Sequence, residues 1–89
     1  MNQHFNKKNI EAAIRVAMTN PVEKIYINGE RSKQRYSVMY SEMFQELTLE
    51  CGKDVLAWVY TTQITTSQKS KNDFVETITD VFYDRIKAA

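Results

Sequence analysis

Residues 27–37 read INGERSKQRYS, and the fold turns on how they are taken. An Asn-Gly pair such as Asn28-Gly29 is the strongest short signal for a β-hairpin when alternating hydrophobic residues flank it on both sides. The left flank qualifies: from Val22 to Asn28, Ile25 and Ile27 alternate with Lys24 and Tyr26, as in a half-buried strand. The right flank, Glu30 to Arg35, contains no apolar residue. Beyond it Tyr36, Met39, Tyr40, Met43, Phe44, Leu47 and Cys51 recur at helical spacing, with Ser32 placed to cap and Gly52 placed to terminate. This spacing predicts a helix over 33–51, with the strand handing over to it at Gly29.

Working outward, Asn6 caps a first helix whose residues Ile10, Ala13, Ile14, Ala17 and Met18 lie on one face. Pro21 ends it, because the residue before a proline is pushed out of helical geometry. On the other side, residues 55–64 are rich in β-branched and aromatic side chains and open with the run VLAWVY, apolar on both faces. That pattern predicts a central strand with Trp58 in the core. TTSQKSKN (65–72) reads as a polar loop, and Asp73 with Glu76 forms a capping box for a last helix. Its buried stripe is Phe74, Val75, Ile78, Val81, Phe82 and Ile86.

The predicted order is α-β-α-β-α, an α/β or α+β single domain over 1–89 with a flexible N-terminus at 1–5. A β-α-β unit implies two parallel strands and a right-handed crossover. Two strands make a poor sheet, so either further strands exist or two chains pair. Val38 and Leu49 lie together on the wheel of the 33–51 helix, opposite its stripe, and mark a contact surface. A homodimer is expected on these grounds. The alternative order is α-β-β-β-α, with 34–39 as a strand.

Composition bounds the function. With 43% hydrophobic and 26% charged residues in 89, and only 2 Gly and 1 Pro, the chain reads as one small globular domain without linkers or repeats. Its longest apolar run is far too short to span a bilayer, and no apolar segment follows Lys7 and Lys8, so a cytoplasmic location is expected. Cys51 and His4 are the only residues of their types, which excludes an internal disulfide and the usual zinc spacings. Cys51 falls on an apolar stripe and no second histidine can serve as base, so neither catalytic residues nor a cofactor are expected.

Charge is segregated: residues 1–35 hold seven basic against three acidic side chains, and 36–54 one against four. A basic patch of Arg31, Lys33, Arg35, Lys69 and Lys71, with Lys7 and Lys8 at its edge, is suited to a nucleic-acid backbone, RNA before DNA. Tyr36, Tyr26 and Tyr60 would be available to stack on bases. In the alternative order the layout resembles double-stranded-RNA-binding domains, where basic residues open the last helix. The leading expectation is therefore a non-enzymatic regulatory module binding RNA. The second is a protein-interaction module that inhibits or adapts another protein, similar in size to the short accessory proteins of phages and mobile elements. Its contact would be the acidic ridge of Asp73, Glu76, Asp80 and Asp84, or Val38 and Leu49.

Overall fold

The structure, a computed structural model, describes residues 6–29, 35–63 and 67–88. The expectations for Arg31, Ser32, Lys33 and the 1–5 segment lie outside the described residues. The elements run α1 (Lys7–Thr19), β1 (Ile25–Asn28), β2 (Arg35–Ser41), β3 (Glu46–Cys51), β4 (Asp54–Tyr60), a 3-10 turn (Thr61–Gln63) and α2 (Gln68–Ala88). Four antiparallel strands in the order β1-β2-β3-β4 form one sheet, and the chain is an α+β single domain.

The helix expected over 33–51 is instead two strands. Tyr36, Tyr40, Leu47 and Cys51 recur at helical spacing, yet with Val38 and Leu49 they also recur at period two within each half, as strand residues on one face do. Val38 and Leu49 decide between the two: they pair directly across β2 and β3 and are fully buried. The wheel placed them opposite the apolar stripe; the sheet places them at its centre. Asn28 pairs with Arg35, so INGERSKQRYS joins two hairpin strands across a longer connection than a two-residue Asn-Gly turn. The parallel crossover is thereby replaced by an antiparallel meander, with one strand more than the α-β-β-β-α alternative.

Gly52, expected to terminate a helix, is the first residue of the Gly52-Lys53 turn between Cys51 and Asp54, at φ +62°. Two-residue hairpin turns need positive φ there to match the twist of the strands. A Cβ on Gly52 would meet nothing within 4 Å, so only the backbone opposes a side chain. Gly52→Ala is expected to lower stability by about 1–2 kcal/mol, read as a fall in the urea midpoint with an unchanged slope.

Both outer helices form as their sequence dictates. Asn6 Oδ1 accepts from the Asn9 N–H at 2.8 Å and caps α1, whose Ile10, Ala13, Ile14 and Ala17 are buried. The last helix begins earlier than the Asp73 capping box: Ser67 Oγ accepts from the Ser70 N–H at 3.0 Å, and residues 68–72, expected as loop, are its first turns. Val75, Ile78, Phe82 and Ile86 are buried, with Phe74 and Val81 partly so. The two helices cover one face of the sheet, closing a core with Ile27, Tyr36, Val38, Leu47, Leu49 and Ala57. Among the described residues, no helix packs on the other face.

Candidate functional site

Side chains alternate across a sheet, so the register states which residues share the uncovered face. One row runs Tyr26, Ser37, Glu50, Val55; the next Met39, Thr48, Trp58; the third Ser41, Glu46, Tyr60. A bulge in β4 between the partners of Leu49 and Glu50 leaves Leu56 unpaired. The extra residue turns Val55 out beside Trp58 and Tyr60, where plain alternation would have put it inward with Ala57 and Val59. Trp58, expected in the core, is 57% exposed, with Tyr60 at 56%, Tyr26 at 54% and Val55 at 49%. The strand read as central is an edge strand with one wet, aromatic face.

The polar groups of this face are laid out in two halves. Arg35 stacks its guanidinium 4.5 Å from the Tyr26 ring centroid, a favourable cation–π geometry that also holds the ring in place. Lys24, one residue before β1, extends to Glu50 at 3.9 Å. Glu46 accepts from the Thr48 hydroxyl at 3.3 Å. Cations therefore stand on the β1–β2 half and carboxylates on β3, with aromatics at both outer strands. At the β2–β3 end, Val22, Met43 and Phe44 are also exposed. The loop there is fixed by the Gln45 carbonyl, which accepts from the Thr61 N–H at 2.7 Å and its hydroxyl at 3.2 Å.

Of the basic residues expected to form one patch, those among the described residues do not converge; Arg31 and Lys33 lie outside them. An even number of strands makes the chain leave β4 at the end opposite to the β1–β2 connection. Arg35 opens β2 at that connection, whereas Lys69 and Lys71 occupy the first turn of α2 at the far end. In a three-strand chain the last helix would start at the same end, which is the layout of the RNA-binding comparison; the fourth strand reverses it. The helices run antiparallel, with Arg15 donating to Asn72 Oδ1 at 3.2 Å and Lys7 bonded to Asp80 at 3.0 Å. Lys7 is thus about 16 Å along α2 from Lys69. Its hydrogen bond to Asp80, and then that carboxylate's charge, hold the Lys7 ammonium above its ordinary pKa. Lys8 is exposed on α1.

Tyr36, expected to stack on bases, is 1% exposed and belongs to the core. Val38 and Leu49, expected as a contact surface, are core residues as well. Asp73, Glu76, Asp80 and Asp84 do lie on the exposed side of α2, with Asp80 engaged by Lys7. The face of β4 was missed because an apolar strand pattern looks the same whether its second face meets a helix or water. Between β4 and α2 lies an open groove of about 610 Å³, bordered by Val59, Tyr60, Phe74, Thr77 and Ile78, with Lys69 and Asp73 at its rim. Among the described residues no three of His, Cys, Asp and Glu converge as a metal site would require, and no helix is long and apolar enough to cross a membrane. No family model matches this chain, nor does any curated protein or solved structure.

Proposed function

We propose that this chain is a non-enzymatic protein-interaction module, of the kind that inhibits or adapts a partner, and that its working surface is the uncovered face of the sheet. The observation that carries the reading is the display of Trp58, Tyr60, Tyr26 and Val55 on one face of a sheet whose other face carries the two helices. Exposed apolar patches of this kind mark association surfaces, and Trp, Tyr, Met and Arg are the residue types enriched there. Action in the cytoplasm is part of the same proposal and rests on composition.

Electrostatics weigh against nucleic acid at this face. Glu46 and Glu50 stand on the inner strand β3, where the phosphates of a strand stacked on Trp58 and Tyr26 would have to pass, and among the described residues Arg35 stands at one end of the fold and Lys69 and Lys71 at the other. Backbone binding needs several cations acting together. The β1–β2 end alone retains a nucleic-acid reading, because Arg35 over Tyr26 is a stacking pair beside further basic sequence.

The test compares two double variants. Trp58→Ser with Tyr60→Ser is expected to abolish every protein contact the immobilised chain makes, while Asp80→Lys with Asp84→Lys retains them. Fluorescence anisotropy with single-stranded and double-stranded RNA is expected to show no tight binding at low salt. The reverse ranking of the variants would move the contact to α2. Tight, steeply salt-dependent RNA binding would replace the reading altogether.

A further inference from the structure

We infer that the uncovered sheet face is occupied by a second copy of this chain, packed face to face about a two-fold axis that runs along the strands. The inference rests on the face being the interaction surface, and it names the partner from symmetry, charge and area. A two-fold along the strands maps β1 onto β4 and β2 onto β3 of the second copy while keeping each row of the sheet at its own height. Tyr26 then lies over Val55 of the second copy, and the Lys24 end of β1 over its Trp58. Arg35 lies over the end of β3 that carries Glu50 of the second copy.

The layout of charge fits this operation. The positive half of the face is brought onto the negative half, with Arg35 set against Glu50 of the second copy twice by symmetry and Lys24 over its Trp58. A closed two-fold interface must be self-complementary in this sense. Two cations and two carboxylates on each face leave it without the net repulsion that would oppose self-association, and the whole chain carries only +1.

Area permits it. Four strands about 4.8 Å apart, of 4, 7, 6 and 7 residues at about 3.3 Å each, present a face of about 380 Å² in projection. Two such faces packed about 10 Å apart remove on the order of 1,000 Å² from water once side-chain relief is counted, at the threshold for a specific interface. The dimer is therefore expected to be reversible. It would also give the sheet the second apolar layer that a two-layer domain of this size lacks.

The experiment is sedimentation velocity with light scattering across a concentration series. The wild-type chain is expected to approach twice its 10.4 kDa mass. Trp58→Ser removes two large aromatic anchors by symmetry and is expected to raise the dissociation constant about a hundredfold or more. Arg35→Glu alone and Glu50→Arg alone each set like charges together twice, for a weakening of about tenfold. An equimolar mixture of the two charge variants restores opposite charges at both contacts and is expected to dimerise again. That recovery reads the interface itself, independent of any effect on folding of the individual variants. A wild-type chain that stays at 10.4 kDa at high concentration would overturn the second copy as occupant. So would a dimer indifferent to all three substitutions, or a mixture that fails to recover. In those cases the interaction-face reading stands or falls separately, on whether the Trp58 and Tyr60 double variant loses its other protein contacts.

Discussion

Replacing Leu49 with aspartate is expected to unfold the protein. Leu49 is fully buried at the centre of the sheet, paired with Val38 on β2 and Ala57 on β4, beneath the two helices. Truncation to alanine in such a site costs about 2–5 kcal/mol through lost burial and the cavity left behind. A domain of this length has about 4–13 kcal/mol in all. Aspartate adds an unpaired charge in an apolar layer with no cation beside it, a further cost that the remaining stability does not cover. The measurement is far-UV circular dichroism with a urea titration of Leu49→Asp and Leu49→Ala. The alanine variant should unfold cooperatively at lower urea and the aspartate variant show no transition. A folded Leu49→Asp chain would put this residue on a surface, as the helical reading of 33–51 requires, and would overturn the hairpin.

Phe82→Ala should cost about 3–5 kcal/mol, the next largest effect. Phe82 is fully buried: it sits in the middle of the buried stripe of α2, flanked by Ile78 and Ile86. The polar bonds between α2 and α1, Lys7 to Asp80 and Arg15 to Asn72, are at the surface, and exposed pairs contribute little. Apolar packing is therefore what holds α2 on the sheet, and the loss falls on a helix that would not persist alone. Phe82→Leu should recover most of the stability because it keeps most of the volume. The readout is the thermal midpoint, which should fall by more than 10 °C for alanine, since each kcal/mol shifts a domain of this size by about 4–8 °C. A shift of only a degree or two would mean that α2 is not anchored by this stripe.

The two readings of residues 33–51 show where local pattern stops. Tyr36, Tyr40, Leu47 and Cys51 satisfy a helix and a hairpin equally, and the connection after Gly29 carries no apolar residue that would mark β2. The misfit of Val38 and Leu49 with the helical wheel was the one local sign of strands, and it reads equally well as an interface. Gly52 is similarly double: a positive-φ glycine serves a helix end and a hairpin turn alike. None of these ambiguities can be resolved by a segment on its own, because helix and strand differ here in which distant residues each side chain meets.

By itself the sequence determined α1 with its Asn6 cap, the alternation of β1, the buried stripe of α2 and the α+β composition of the domain, because these depend on contacts within a few residues. Only the tertiary structure decided which half-apolar segments pair, that the strands number four, and hence that Lys69 and Lys71 start α2 at the far end from Arg35. It also decided that Trp58 and Tyr60 face outward. Two helices can cover one face of a sheet but not both, and which face stays open is a property of the assembled layers rather than of any strand in them.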